Sequence, residues 1–246
     1  MTTTPPPRVF ALPPAGGSAG VFRGWDDRLR ALLGDTVRFV APELPGRGAR
    51  IAERPPSEID GYVRDLDQRY APPAGERWAV LGHSFGALLA ASWAALAHRE
   101  GRGPELVVVS GAAAPWRHST AALLDGTDDE IWDRIGALGG LPAQIRASPQ
   151  GRRLIERALV GDVRASARYR PTGPLPVGCP VLAVRGEDDP LIDDELTAAW
   201  SAVTTDAFTF RVLPGGHFYR SGIEDLVPLL ADALSAPTLP ATAQQR

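Results

Sequence analysis

The sequence predicts an α/β fold with a mostly parallel central sheet and helices on both faces. Short apolar runs alternate with helix-like segments along the chain, as they do in repeated βαβ units. Several of these runs are apolar without interruption, which is typical of parallel strands covered on both faces. The chain has 246 residues, of which 44% are hydrophobic. A single α/β domain of this length can bury a sizeable core.

The strands are predicted from apolar and β-branched runs that end at glycine or proline. The first run ends in Pro13-Pro14-Ala15-Gly16-Gly17, a glycine loop, and the second breaks at Pro42. The last three runs are expected to be strands covered on both faces. The predicted strands are residues 8–12, 36–41, 78–81, 106–110, 180–184 and 208–213.

The helices are predicted from apolar residues at helical spacing. Residues 21–33 have this spacing and stop at Gly34, and residues 59–70 precede the Pro72-Pro73 breaker. Residues 87–98 are rich in alanine, and residues 223–234 form a closing amphipathic segment.

One connection is much longer than the rest. About seventy residues separate the fourth and fifth strands, far more than a usual crossover. Two of its segments, 128–138 and 150–168, have helical patterns. We therefore expect one domain spanning residues 1–246, with a helical lid inserted at approximately 115–172. The Pro/Thr/Ala/Gln-rich residues 236–246 are predicted to be a disordered tail.

Composition narrows the classes of function. The net charge of −3 gives no reason to expect a nucleic-acid partner. No run approaches the ~18 apolar residues needed to span a bilayer, and the first residues contain no apolar signal segment. Cys179 is the only cysteine, so an internal disulfide is excluded. We expect a cytoplasmic protein.

A Gly-x-Ser-x-Gly motif supplies the candidate nucleophile. It is Gly82-His83-Ser84-Phe85-Gly86, between a predicted strand and a predicted helix. This is the setting in which serine hydrolases of the α/β-hydrolase kind expose their nucleophile. Ser84 should be strained, and a side chain at position 82 or 86 should collide with a neighbouring strand or helix. The alternative, an ordinary glycine-rich turn, is disfavoured by this context.

The chain offers four histidines as a general base for Ser84. His217 follows the last predicted strand, which is where this fold supplies its base, and is therefore the candidate. His83 adjoins Ser84 on the same turn and is expected to point away, in a structural role. His98 is interpreted as a helix C-terminal cap, and His118 as a solvated loop residue.

The acid that orients the histidine should follow a strand between Ser84 and His217. The strand at 180–184 leads into Arg185-Gly186-Glu187-Asp188-Asp189-Pro190. In related hydrolases the acid usually falls three positions after the glycine, which selects Asp189. Asp188 remains the alternative, and Asp193 and Asp194 are expected to cap the next helix.

An oxyanion hole needs two N–H donors, one from the residue after the nucleophile and one from the loop after an early strand. Phe85 supplies the first. The loop at 13–17 supplies the second. Pro14 has no N–H to donate, which leaves Ala15, the preferred candidate, or Gly16. The alternative, a phosphate-binding loop, is discounted because the chain has no lysine and no Walker motif.

Five segments of the chain form a recognisable set: Leu-Pro-Pro-Ala-Gly-Gly-Ser-Ala at 12–19, Leu-Pro-Gly-Arg-Gly-Ala-Arg at 44–50, Gly-His-Ser-Phe-Gly-Ala at 82–87, Leu-Gly-Gly-Leu-Pro at 138–142 and Gly-Gly-His-Phe at 215–218. With these segments the chain resembles type II thioesterases, the discrete editing hydrolases that accompany polyketide and nonribosomal peptide synthases. The resemblance covers about residues 10–234. Pro14 departs from it, since the family often has histidine there.

The resemblance implies hydrolysis of acyl groups held as thioesters on the phosphopantetheine arm of an acyl or peptidyl carrier protein. It implies a Ser84, His217 and Asp189 triad and no metal or organic cofactor. We also expect a monomer. The alternatives are a general carboxylesterase acting on oxygen esters and a non-catalytic, hydrolase-like binding module. The sequence gives neither the acyl chain nor the synthase.

In the family the insertion covers the active site and shapes the acyl chamber. Nine apolar lid residues could line that chamber or simply pack the lid: Trp132, Ile135, Leu138, Leu141, Ile145, Leu154, Ile155, Leu159 and Val160. Residues 143–171 also contain seven arginines against Glu156 and Asp162. Because carrier proteins are generally acidic, some of these arginines could guide docking. A solvated face with pairs inside the helix is the alternative. The arginines are residues 146, 152, 153, 157, 164, 168 and 170.

Overall fold

The computed structural model describes residues 6–117 and 126–235. Its strands form one six-stranded sheet in the order β2-β1-β3-β4-β5-β6, and every pairing is parallel. The predicted α/β class is therefore confirmed. The strands are β1 Arg8–Leu12, β2 Arg38–Val40, β3 Trp78–His83, β4 Leu106–Ser110, β5 Val181–Gly186 and β6 Phe208–Leu213.

Within the same residue ranges, helices cover both faces of the sheet and the ends of its strands. They are α1 Trp25–Leu33, α2 Ile59–Tyr70, α3 Phe85–Arg99, α4 Asp128–Ala137, α5 Ala143–Arg146, α6 Pro149–Arg168, α7 Asp194–Ala198 and α8 Leu226–Ser235. None of these helices has both the length and the apolar character needed to cross a membrane.

The core lies in two layers because successive strand residues point to opposite faces. Phe10 and Val80 pack with α2 and α3 on one face. Val9 and Leu81 pack with α1 and α8 on the other. Most of α3 is buried, which explains why its sequence is apolar all round rather than amphipathic.

Most element boundaries shift by a few residues from the predictions. β3 continues to His83, and α3 begins directly at Phe85. A 3-10 turn, Ala19–Phe22, precedes α1, and another, Ile223–Asp225, precedes α8. The expectation that the last strand is covered on both faces is wrong. β6 is an edge strand that pairs only with β5 among the described residues, and its side chains are exposed or half-buried.

The described part of the insertion contains α4, α5 and α6, called the lid helices below. α4 and α6 lie close to the two predicted helical segments, while the short α5 was not predicted. α4 begins with a capping box, in which Thr127 accepts from the Glu130 N–H and the Glu130 side chain accepts from the Thr127 N–H. His118 and the predicted tail at 236–246 lie outside the described residues.

Candidate active site

Ser84 occupies a sharp turn between the last residue of β3 and the first residue of α3. Its φ of 55° and ψ of −116° lie in a region that residues with a side chain rarely adopt, as predicted. Its backbone N–H donates to the Ser110 carbonyl at 2.7 Å. The turn is therefore held against β4 by a main-chain hydrogen bond.

The two glycines of the turn are required by close backbone contacts. A Cβ on Gly82 would lie 1.9 Å from the Gly86 carbonyl oxygen, at the start of α3. A Cβ on Gly86 would lie 2.2 Å from the Leu12 carbonyl oxygen, at the end of β1. Real Cβ atoms do not approach backbone this closely, so the predicted collisions are confirmed.

Three side chains from three strand ends meet beside this turn. His217 Nε2 lies 3.0 Å from Ser84 Oγ, and His217 Nδ1 lies 2.8 Å from Asp189 Oδ2. With Nδ1–H donating to the carboxylate, Nε2 is free to accept the serine proton. Asp189 follows β5 and His217 follows β6, so adjacent parallel strands deliver the two residues to the same edge of the sheet.

Asp189 is buried and fixed from both sides. Its Oδ2 faces His217, and its Oδ1 accepts the Leu191 N–H at 2.9 Å. Asp188, the alternative acid, is exposed. Asp193 caps α7 by accepting the Leu196 N–H at 2.8 Å, in agreement with the cap predicted there.

His83 lies fully buried behind the turn and contacts Ser110 rather than Ser84. Its Nδ1 is 2.9 Å from Ser110 Oγ, and Tyr219 hydrogen-bonds to the same hydroxyl. Burial, together with His217, whose ring centroid is 5.2 Å away, lowers the pKa of His83 well below its ordinary value. His83 is therefore a neutral packing residue. His98, by contrast, is exposed near the end of α3.

Cys179 is not among the residues that line the cleft beside Ser84. It is buried in the core, and burial raises the pKa of its thiol to about 12. A protonated, buried thiol is a poor nucleophile.

Two backbone N–H groups, of residues that line the same cleft as Ser84, are available as hydrogen-bond donors. The Phe85 N–H stands at the first position of α3, where a helix provides no acceptor. The Ala15 N–H belongs to the loop 13–17, called the oxyanion loop below after the role predicted for it from the sequence, and has no acceptor among the residues that the structure describes. The Gly16 N–H, the other choice considered from the sequence, donates to Asp162 at 2.9 Å.

These groups line one cleft, with about 780 Å³ of free space, part of it open to solvent. Most of its wall is apolar, as expected for a site that takes an acyl or other apolar chain. The lining residues from the predicted site are Ala15, Ser84, Phe85 and His217. The cleft is closed from above by Ile135, Leu138, Val163 and Ser166 of the lid.

Only Ile135 and Leu138, of the nine apolar lid residues proposed from the sequence, line this cleft. The others mainly pack the lid, and Leu154 is 54% exposed. Val163 and Ser166 were not identified from the sequence, because the pattern alone does not show which face of α6 meets the cleft.

Of the seven arginines in residues 143–171, Arg146 and Arg170 donate to backbone carbonyls, and the other five fall into two groups. Arg152 pairs with Glu156 and Asp129 and lies over the Trp132 ring, and Arg164 contacts Asp128 at 2.6 Å. Arg153, Arg157 and Arg168 are exposed, without an ionic partner among the described residues. The acidic residues of α4 thus neutralise part of the positive charge seen in residues 143–171: across 126–171, eight arginines face six acidic residues.

A buried cluster that the sequence did not indicate joins the lid to the core. Asp162 of α6 accepts two hydrogen bonds from Arg47, at 2.6 and 2.9 Å, and one from Tyr62 at 2.5 Å. Burial opposes the charge on Arg47, but the Asp162 carboxylate outweighs it and raises the pKa of Arg47. Burial and Asp162 also raise the pKa of Tyr62. The only signal in the sequence was the position of Asp162 on the apolar side of a predicted helix, close to Leu159 and Val163.

Among the described residues, no three His, Cys, Asp or Glu side chains are grouped in a way that could hold a metal ion. The hydroxyl of Ser84, the imidazole of His217 with Asp189 behind it, and the available N–H groups of Phe85 and Ala15 are the types of group that nucleophilic acyl transfer requires. This arrangement can carry out acyl transfer through a covalent serine intermediate.

Sequence comparison matches residues 7–236 to the thioesterase domain family. The AMB antimetabolite synthetase AmbE of Pseudomonas aeruginosa is 32% identical over 95% of this chain, which spans 11% of that protein. The probable cadicidin biosynthesis thioesterase of Streptomyces griseus is 32% identical over 89% of this chain, which spans 60% of that protein. The solved structure of the type II thioesterase BorB, from the borrelidin biosynthetic cluster, is 31% identical with a TM-score of 0.80, and the match covers 95% of this chain and 94% of BorB.

Proposed function

Because the chain belongs to the thioesterase family, we propose that it hydrolyses acyl thioesters from the phosphopantetheine arm of carrier proteins and so edits stalled or misprimed polyketide or nonribosomal peptide synthases. The family membership and the similarity to BorB agree with the resemblance and the α/β-hydrolase fold predicted from the sequence. The substrate and the partner are the proposed part of this statement.

The observation that carries the proposal is the hydrogen-bonded chain from Ser84 through His217 to Asp189 at the base of an apolar cleft. Acyl transfer requires a nucleophile, a base within hydrogen-bond reach and an orienting acid. The distances of 3.0 and 2.8 Å support these roles for the three residues.

In the first half-reaction, His217 Nε2 takes the proton of Ser84 Oγ as the oxygen attacks the thioester carbonyl. The N–H groups of Phe85 and Ala15 stabilise the negative oxygen of the tetrahedral intermediate. The carbon–sulfur bond then breaks, and the phosphopantetheine thiol leaves with the proton from His217. An acyl-Ser84 ester remains.

In the second half-reaction, water attacks this ester. His217 takes a proton from the water and returns it to Ser84 Oγ, which releases the carboxylic acid. Asp189 holds the tautomer of His217 in which Nε2 accepts, and it stabilises the imidazolium that forms in each half-reaction. Ile135, Leu138 and Val163 offer an apolar wall to the acyl chain.

Three substrates with the same acyl group test this proposal: the acyl carrier protein thioester, the acyl-N-acetylcysteamine thioester and the p-nitrophenyl ester. We expect kcat/KM to be highest for the carrier-bound thioester. A preference for the oxygen ester would instead indicate a general carboxylesterase. A folded chain that turns over none of the three and is not labelled at Ser84 by a fluorophosphonate would be a binding module.

We further propose that the carrier protein docks on the outer face of α6 through Arg153 and Arg157. Both side chains are exposed and carry uncompensated positive charge among the described residues, whereas Arg152 is occupied by Glu156 and Asp129. Carrier proteins are generally acidic, so complementary charge favours this surface.

The double variant Arg153→Glu/Arg157→Glu tests the docking surface. We expect KM for the carrier-bound thioester to rise about tenfold or more, since like charges would then face each other. The KM for acyl-N-acetylcysteamine should not change. The matched control is Arg28→Glu/Arg38→Glu, two exposed arginines outside the lid. Equal effects on both substrates, or an equal effect of the control, would contradict this surface.

A further inference from the structure

Asp162 joins the lid to the loop that carries the Ala15 N–H. Its Oδ2 accepts the Gly16 N–H at 2.9 Å and Arg47 Nη1 at 2.6 Å. Its Oδ1 accepts Arg47 Nη2 at 2.9 Å and the Tyr62 hydroxyl at 2.5 Å. The Asp162 side chain is 0% exposed and that of Arg47 is 2% exposed. The carboxylate is therefore saturated by four donors and shielded from water.

These bonds fix the course of the oxyanion loop. Gly16 has a φ of 72°, and Gly17 N–H closes a turn onto the Pro14 carbonyl at 2.9 Å. The loop also lies directly against α6, because a Cβ on Gly16 would be 2.9 Å from Leu159 Cβ. The Gly16 N–H donates to Asp162, the Gly17 N–H donates to Pro14, and the two prolines have no N–H, so Ala15, which lines the cleft, has the one N–H of this loop without an acceptor among the described residues.

We propose that Asp162 is a positioning residue for the oxyanion hole. It never touches the substrate; it holds the Gly16 amide, and through it directs the Ala15 N–H toward the reacting carbonyl. This inference rests on the proposed roles of Ser84 and Ala15 in acyl transfer, and it extends them to a side chain on the lid.

A second consequence follows from the position of Asp162 on α6. Ser84, His217 and Asp189 are held by the sheet edge and the turns that follow it, with no hydrogen bond to α6. The Ala15 donor, in contrast, depends on α6 being packed against the loop. The hole is therefore complete only when this lid helix is in place over the cleft.

The double variant Arg47→Met/Asp162→Leu is the main test. It removes both charges together, so neither is left buried alone, and replacing a buried ion pair by apolar residues of similar size commonly preserves folding. The variant leaves Ser84, His217 and Asp189 intact while the Gly16 N–H loses its acceptor. The matched control is Arg50→Met/Asp65→Leu, an ion pair with a distance of 2.7 Å that does not contact the oxyanion loop.

The first readout is the rate at which a fluorophosphonate labels Ser84. In this reaction Ser84 Oγ bonds to phosphorus, fluoride leaves, His217 takes the proton, and the phosphoryl oxygen occupies the oxyanion hole. Outright loss of an oxyanion donor costs about 10²–10³-fold in rate. For a misdirected donor we expect the labelling rate to fall by about 10- to 100-fold. The second readout is acyl-N-acetylcysteamine hydrolysis, in which kcat should fall by a similar factor with KM unchanged.

Folding is checked by a cooperative thermal transition above the assay temperature. If the double variant does not fold, Arg47→Gln/Asp162→Leu replaces it: both charges are again removed together, a glutamine at position 47 keeps a donor near the Pro45 carbonyl, and the Gly16 N–H again loses its acceptor, so the same loss of labelling rate is expected. Labelling of the folded variant within about threefold of wild type, or an equal loss in the control, overturns the inference. A wild-type chain that labels but does not hydrolyse thioesters contradicts the proposed function and leaves this test valid; one that never labels overturns both.

Discussion

The turn around Ser84 and the lid over it are built by different means. At the turn, backbone lies against backbone: a Cβ on Gly82 or Gly86 would come within 1.9 or 2.2 Å of a carbonyl oxygen. In the lid, side chains make the contacts: buried apolar residues pack α4 against α6, and exposed or half-buried ion pairs join the two helices at their surface. Gly161 of α6 has no atom within 4 Å of where its Cβ would lie.

This difference suggests that the turn determines the chemistry, while the lid surface determines which substrate is accepted. Backbone contacts leave the reacting atoms almost no freedom, which suits a mechanism that fails when they move by an ångström. Side-chain contacts can change one residue at a time, which suits a surface that must fit a particular acyl chain and partner. We therefore expect substitutions at the turn to affect rate or folding, and those at exposed or cleft-lining lid residues to affect KM. Asp162 is the exception on the lid, because it contacts the loop that carries the Ala15 N–H.

The largest expected effect is at the nucleophile itself. Ser84→Ala or His217→Ala should lower kcat for acyl-N-acetylcysteamine by about 10⁴–10⁶-fold while the protein remains folded. Steady-state kinetics and thermal melting measure the two quantities. His98→Gln, at an exposed position, is the control and should retain the full rate. If Ser84→Ala retained more than about one per cent of the rate, the turn would not hold the nucleophile.

A smaller loss is expected at the orienting acid. Asp189→Asn should lower kcat by about 10²–10⁴-fold, because an amide can favour the wrong tautomer of His217. Asp188→Asn should stay within about twofold of wild type, since its carboxylate is exposed and plays no part in the chain to Ser84. The reverse ranking of the two variants would move the acid from Asp189 to Asp188.

Adding one methyl group should have opposite effects in the two regions. Gly86→Ala forces a Cβ against the Leu12 carbonyl and should lower the free energy of unfolding by about 3 kcal/mol or more. Gly161→Ala, in open space within a helix, should raise it by about 0.5–1 kcal/mol. Denaturant titration measures both. If Gly86→Ala and Gly161→Ala destabilised the protein equally, the proposed difference between the turn, which is held by backbone contacts, and the lid, which is held by side-chain contacts, would be wrong.

The last prediction concerns the dependence of stability on pH. Burial lowers the pKa of His83 in the folded chain, so below about pH 6.5 the unfolded chain binds a proton there that the folded chain does not. His83 therefore lowers the free energy of unfolding as the pH is decreased below 6.5, by at most about 1.4 kcal/mol per pH unit. His83→Gln should flatten this slope between pH 6.5 and 5, measured by denaturant titration. Parallel curves for wild type and His83→Gln would contradict the prediction.

Much of the sheet and of the turn could be predicted because their signals are local. The strand before Gly82, the helix after Gly86 and the glycines themselves are adjacent in sequence, and His217 and Asp189 each follow a strand. The edge position of β6 could not be predicted in this way, because strand order depends on contacts between distant segments. The face of α6 that meets the cleft depends on tertiary packing in the same way.

The lid charges illustrate a further limit. Counting residues 143–171 gives a strongly basic segment, yet Asp128 and Asp129 of α4 lie against Arg164 and Arg152. The partners of Asp162 are more distant still, at 115 positions for Arg47 and 146 for Gly16. The pattern of apolar and polar residues within one helix cannot predict contacts between residues so far apart in sequence. Only the three-dimensional arrangement distinguishes the buried carboxylate from its solvated neighbours.

The Arg47–Asp162 pair also constrains how this sequence can diverge. Loss of either partner alone leaves an unpaired buried charge, at a cost of about 3–5 kcal/mol, whereas loss of both together is close to neutral. Marginally stable proteins rarely tolerate the intermediate step. Substitutions at these two positions should therefore be correlated across relatives: chains with an apolar residue at one position should have an apolar residue at the other.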